Sequence, residues 1–317
     1  MQNRAYQQSD VFGSAAGFGN QLAVVLQGDG LTDAAMQRFA RWAHLSETAF
    51  LMPPTQAGAD YRVRIFTPGG ELLFAGHPTL GSCHAWLAAG GRPHDATGQT
   101  VVQQCNAGLV LLRLSRGANA VNGLQNAQLG STQQLAFAAP PLNRRAARPA
   151  ALAQVAAALG LQQQQVLAAQ ILDNGPVWLG LLLDSVQTVL ALTPNHARLK
   201  DLGVNVGVAA VSPALVAMGS QAINSAAQPG PAAADDSQLT VRAFAAAMGV
   251  PEDPVTGSLN ASMAQWLIAD GVLPSCYTAA QGICVGHAGR VGITCDSSGQ
   301  VWVSGACVTV VKGTVRL

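Results

Sequence analysis

Two stretches in different halves of the chain share one layout, and that repetition constrains the fold more than any other feature. "FAGHPTLGSCHAWLAAGG" covers residues 74–91 and "PEDPVTGSLNASMAQWLIADG" covers residues 251–271. Each places a polar residue before Pro, then Thr and Gly-Ser, then a helical run that carries Trp-Leu and stops at Gly. Loop-to-helix junctions favour Pro and Gly in any protein, so the match alone carries little. The surroundings add to it, because both halves alternate short apolar strands with helices. The expectation is an α+β chain built as a pseudo-repeat, in which two related domains aim two helix N-termini at one cleft.

The segments themselves are read from periodicity. "NQLAVVLQG", "ETAFLMPP", "YRVRIFTPGG" and "GLVLLRLSRG" read as strands in the first half. "TDAAMQRFARWAHL" reads as a helix capped by Thr32 or Asp33, and "PTLGSCHAWLAAGG" as a helix closed by glycines. The Asn-, Gln- and Gly-rich stretch Ala118 to Asn143 is the expected crossing between domains. In the second half, "PAALAQVAAALG" and "HARLKDLG" read as helices, "PVWLGLLLD" and "QLTVRAF" as strands, and "SAAQPGPAAADDS" as a surface loop. Strands also close the C-terminus.

Charge narrows the partners. Asp, Glu, Lys and Arg make up only 10% of the 317 residues, against about 25% in ordinary globular domains. The net charge is +1 and no basic block occurs, so neither nucleic acid nor an anionic membrane is an expected partner. The six cysteines show neither C-x-x-C nor zinc-ribbon spacing, and free, mostly buried thiols are expected. "MQNRAYQQSD" is too polar for a signal peptide, and "VWLGLLLDSVQTVLALT" is broken by Asp184. A cytoplasmic location is the expectation.

Few residues are then left to carry chemistry. A helix N-terminus offers unpaired N–H groups and partial positive charge, and Gly257 and Ser258 would let a ligand carboxylate come close. The competing reading is that Thr256 and Ser258 cap their own helix. Asp253 and His77 hold matching places, each just before the proline of its junction, where a turn-forming Asp and a structural His are also ordinary. Glu47, in "HLSETAF", lies between a helix end and an apolar strand. Burial there would raise its pKa toward the range a general acid/base needs. His84 follows His77 by two helical turns, but no third ligand supports a metal. "GFGNQLAVV" lacks the third glycine of a dinucleotide fingerprint and leads into a strand.

Taken in order, "DVF", "FGNQLAVVL", "LSETAF", "RVRIFTPGGELLFAGHPTLGS", "VRAFAAAMGVPEDPVTGSLN" and "QGICVGHAGRVGI" resemble the PhzF family of phenazine-biosynthesis-like proteins, nearly end to end. The resemblance implies a diaminopimelate-epimerase-like fold: two similar domains, each a curved, barrel-like, mostly antiparallel sheet wrapped around a central helix. It places the domains at 1–128, with the C-terminal strand 303–317 packed on the first, and 129–302. It implies a cofactor-free and metal-free isomerase, resembling trans-2,3-dihydro-3-hydroxyanthranilate isomerase, that moves a proton between carbons of a small carboxylated metabolite. A homodimer is implied as well. By motif, Glu47, His77 and Asp253 are catalytic, and Ser46, Gly76, Gly257 and Ser258 bind substrate. An amino-acid racemase or epimerase, or an inactive small-acid-binding member, are the alternatives. Cysteine-dependent relatives carry a Cys in each junction loop, whereas Cys83 lies inside the helix, which disfavours thiolate chemistry. Gln21 replaces the usual Pro, and Gly286-His287 stands where Gly-Arg is common. Arg290 follows shortly after.

Overall fold

The structure is a computed structural model that describes residues 2–116, 133–213 and 237–317. The expected surface loop at 225–237 lies outside the described residues but for Ser237. Compactness divides the chain into two units, Met1–Ala138 with Ser304–Leu317, and Ala139–Val303.

In the first unit, Asn3–Val11 lies antiparallel to Asn20–Val25, which runs parallel to Glu47–Met52. Glu47–Met52 is antiparallel to Tyr61–Phe66. That strand takes the short Glu71–Leu72 antiparallel and Thr100–Cys105 parallel. Gly108–Arg116 and Gln133–Ala138 follow, antiparallel. The long C-terminal strand Val301–Arg316 pairs with Asn3–Val11 and with Gln133–Ala138, so the sheet closes on itself.

The second unit repeats the order and the sense of the steps that run from Asn3–Val11 to Gly108–Arg116 in the first. Val166–Asp173 and Val177–Leu183 are antiparallel, and Val206–Val211 is parallel to the latter. Leu239–Ala245 is antiparallel to Val206–Val211 and takes Val250–Asp253 antiparallel and Cys276–Gln281 parallel. Gly289–Cys295 completes the series, antiparallel. The α+β class and the duplicated sheet expected from the sequence are the ones found.

Each sheet holds one helix, Gly76–Ala88 in the first unit and Gly257–Ala269 in the second. Neither is amphipathic. Residues Gly76 to Cys83 are buried without a break, and so are Gly257 to Ala264. A helix buried on every face is one enclosed on all sides. Enclosure demands close approach, and glycine supplies it on opposite partners. A Cβ on Gly81 would lie 2.5 Å from Leu22, and one on Gly207, in the sheet, would lie 2.3 Å from the helix residue Leu259. The surface helix Asp33–Ala43 is of the other kind. Thr32 caps it by accepting from the Ala35 N–H, and Met36, Phe39 and Ala40 face the core with Val25, Phe50 and Phe66.

Two expectations need correction. The first central helix starts at Gly76, two residues before the expected Pro78, because a proline early in a helix only gives up an N–H that has no partner there. The stretch Ala118 to Asn143 is not all crossing. Its described part contains Gln133–Ala138, whose alternating Leu135 and Phe137 are buried in the first unit. Residues 118–132 lie outside the described residues.

Candidate active site

In the first unit the parallel pairing of Asn20–Val25 with Glu47–Met52 sets Leu22 beside Glu47. Asn20 opens one strand and Glu47 the other, so both side chains stand at the same end of the sheet, where the Gly76–Ala88 helix begins. His77, the helix's second residue, is 3% exposed, and its Nε2 lies 3.5 Å from Glu47 Oε2. Asn20 Nδ2 lies 3.3 Å from His77 Nδ1, and the Ser46 hydroxyl donates to Asn20 Oδ1 at 3.4 Å. Four side chains thus meet at one helix start. The Glu47 side chain is only 15% exposed. Burial pushes its carboxyl up from the usual carboxylate range to about 7, a rise that a hydrogen bond from Ser46 partly opposes. A carboxyl poised there can both take and return a proton near neutral pH.

The second unit builds a different helix start. Thr256 is the N-cap residue of Gly257–Ala269, yet its hydroxyl makes no capping bond. It donates to Asp253 Oδ2 at 2.6 Å and accepts from Gln281 Nε2 at 2.9 Å. Gln281 also donates to the Asp253 carbonyl, and its Oε1 accepts from the Thr256 N–H and from Asn260 Nδ2. One glutamine therefore holds the whole turn between Asp253 and the helix. Two glycines of the same motif press on that turn. A Cβ on Gly282 (φ +100°) would lie 2.6 Å from the Pro254 carbonyl oxygen, and one on Gly289 would lie 2.3 Å from Val255. Behind it, Arg242 and Glu252 form a buried bidentate pair at 2.9 and 2.8 Å.

Glu47, Ser46, Gly76 and His77 gather at the first helix start, and Asp253, Gly257 and Ser258 at the second. Two readings change. Asp253 and His77 do not occupy matching places: His77 is the second residue of its helix and corresponds to Ser258, whereas Asp253 ends a strand four residues before its helix. The longer turn of the second junction displaces it. The capping role for Thr256 and Ser258 also fails, because the Thr256 hydroxyl serves Asp253 and Ser258 lies inside the helix. Asn20 and Gln281 were not singled out from the sequence, although both sit within quoted motifs. Arg290 lies on the Gly289–Cys295 strand, its guanidinium donating to the Gly289 carbonyl at 3.2 Å.

The cysteines are all free, with Cys83, Cys105 and Cys307 buried and Cys284 exposed. Burial pushes the Cys83 thiol well above its usual range, so it does not supply a thiolate. Among the described residues, no group of three or more His, Cys, Asp or Glu side chains is placed to hold a metal. No helix among them is long and apolar enough to cross a membrane.

Comparison with known proteins agrees with this architecture. The chain is 31% identical over 315 residues to a trans-2,3-dihydro-3-hydroxyanthranilate isomerase of Pseudomonas aeruginosa, covering 97% of this chain and 98% of that protein. It is 30% identical over 326 residues to the Schizosaccharomyces pombe protein named antisense-enhancing sequence 1, covering 99% of each. Among solved structures, a PhzF-family phenazine biosynthesis protein of Bacillus anthracis superposes with a TM-score of 0.78 over all of both chains, at 19% identity. A probable proline racemase of Agrobacterium radiobacter shares the fold more distantly, with a TM-score of 0.61 at 13% identity over 99% of this chain and 93% of its own. The model of the phenazine biosynthesis-like proteins matches residues 9–313, and the chain belongs to that family of isomerases.

Proposed function

We propose that this isomerase moves a proton between two carbons of a small carboxylated substrate, with Glu47 as the carrier. One observation carries the reading: a carboxyl held near pH 7 by burial, with His77 Nε2 3.5 Å from one oxygen. A 1,3-shift needs one group that is a base in the first half and an acid in the second. A carboxyl half-ionised at neutral pH fits both halves, and the chemistry calls on no cofactor. His77 steadies the ionised form. Asp253, Ser46, Gly76, Gly257 and Ser258 take substrate-orienting roles, assigned through their places in the family motifs. Relatives named trans-2,3-dihydro-3-hydroxyanthranilate isomerase make that compound the first substrate to try.

The test is turnover in deuterated water, followed by NMR. The wild-type chain should isomerise the compound and place solvent deuterium on the receiving carbon. Glu47→Gln is nearly isosteric and should abolish both while still binding. Exchange at the wild-type rate in that variant would remove Glu47 from the mechanism. A wild-type chain that leaves the compound unchanged and unlabelled would remove this substrate.

A further inference from the structure

The contacts around Glu47 give its hydrogen bonds a direction while the carboxyl is protonated. The Ser46 hydroxyl donates to Asn20 Oδ1, which leaves Nδ2 as the atom facing His77 Nδ1. An amide nitrogen only donates, so Nδ1 accepts, and the neutral imidazole carries its proton on Nε2. Nε2 is the nitrogen that faces Glu47 Oε2. We propose that Asn20 is a positioning residue: it locks His77 in the Nε2–H tautomer and so keeps a donor aimed at the Glu47 carboxyl.

The enclosure makes the lock count. Asn20 is 2% exposed and His77 3%, so water does not compete freely for either. At 3.5 Å the His77–Glu47 contact is longer than a hydrogen bond, and an Nε2–H shortens it when the carboxylate forms. The opposite tautomer would set a lone pair against the carboxylate and repel it. Ser46 closes the circuit, since its single proton has two acceptors within reach, Asn20 Oδ1 and the Glu47 carboxyl. With Glu47 protonated, its O–H turns to Ser46 Oγ and every bond runs the same way: Glu47 to Ser46, Ser46 to Asn20, Asn20 to His77, His77 to Glu47. With Glu47 ionised, Ser46 turns to the carboxylate and gives up its bond to Asn20 Oδ1. The lock therefore acts while Glu47 is protonated, and it sets the tautomer that meets the carboxylate as it forms. The tautomer itself does not depend on what the chain turns over; its catalytic consequence rests on Glu47 as the proton carrier proposed above.

The experiment is 15N NMR on full-length chain labelled at histidine, with His77→Gln assigning the signal. Wild type should show a protonated Nε2 and an unprotonated Nδ1. Asn20→Asp offers only acceptors and should move the proton to Nδ1, and Asn20→Leu should leave a mixture. Ser46→Ala keeps Asn20 but frees its amide to turn over, and should also give a mixture. A wild-type Nδ1–H tautomer would overturn the proposal, and so would Asn20→Asp or Ser46→Ala spectra identical to wild type. If the Asn20 variants do not fold, the wild-type and Ser46→Ala spectra still decide. In turnover, Asn20→Leu should lose about 10- to 100-fold in deuterium exchange with KM nearly unchanged. Lost exchange with an unchanged tautomer would assign Asn20 to substrate and reject the lock. A tautomer shift in a chain whose wild type turns nothing over would leave the lock standing and overturn only the isomerase reading.

Discussion

Asn260 and Gln281 meet side chain to side chain at 2.8 Å, and the first unit contains the counterpart, Thr79 with Gln103 at 3.0 Å. In each case the fourth residue of the central helix bonds back to the carbonyl before the helix, Thr79 to Ala75 and Asn260 to Thr256. A buried glutamine on the corresponding parallel strand fixes it there. Gln281→Met would strip partners from the Thr256 N–H, the Asp253 carbonyl, the Thr256 hydroxyl and Asn260. Buried groups left unpaired cost about 1–3 kcal/mol each, partly relaxed, so a loss of about 3 kcal/mol is expected in urea unfolding. Gln103→Met loses only Thr79 and the Tyr61 hydroxyl and should cost about 2 kcal/mol. Equal midpoint shifts for the two variants would contradict the account.

Glu47 makes stability depend on pH. Below about pH 4.5 it is protonated whether folded or not. Between there and about 7 it ionises only when unfolded, so folding loses ground as pH rises through that window. Above 7 the full penalty of about 3 kcal/mol remains. Glu47→Gln should therefore stabilise the chain at pH 8 and change little at pH 4, as read by thermal unfolding at both. A variant less stable at pH 8 would show that the carboxylate is not buried at a cost.

Arg242 donates to the carbonyls of Val189 and Leu192 as well as to Glu252, and is held among all three. Glu252→Leu leaves that guanidinium buried without its counter-charge and should cost about 3 to 5 kcal/mol. Because Glu252 precedes Asp253, the same change should impair turnover in whatever fraction stays folded. A denaturation curve like that of wild type would show the pair to be dispensable.

Native alkylation separates packing thiols from reactive ones. Burial holds the Cys83 thiol far up and pushes Cys307 up to about 12, while Cys284 is exposed. Iodoacetamide should label Cys284 first, spare Cys83 and Cys307, and leave turnover intact. Mass spectrometry that found Cys83 modified together with loss of activity would restore a thiolate mechanism.

Much of this was legible in the sequence, for a physical reason. Strands such as Tyr61–Phe66 alternate buried and partly exposed residues, and each central helix announces itself by Pro or Gly before an apolar run. Asn3–Val11 was not legible, because Gln7, Ser9 and Asp10 are buried polar residues that break the apolar alternation of a strand. Gln7 donates to Ser9 and, across the barrel's closing strand, to Thr309, while Asp10 accepts from the Gly17 N–H. Glu47 could be singled out from its apolar flanks. Asn20 and Gln281 could not, since their worth lies in what they orient across the sheet.

The C-terminal strand has a consequence for how the chain comes off the ribosome. Asn3 pairs with Arg316, and Val11 with Cys307, so the first barrel lacks a stave until residues 307–316 are made. Until then the edges of Asn3–Val11 and Gln133–Ala138 wait unpaired, open to wrong partners. The strand pairings from Asn143–Ala146 to Gly289–Cys295 join only residues 143–295 and face no such delay. The half synthesised second is free to fold first, and the half that carries Glu47 and His77 is the one that must wait.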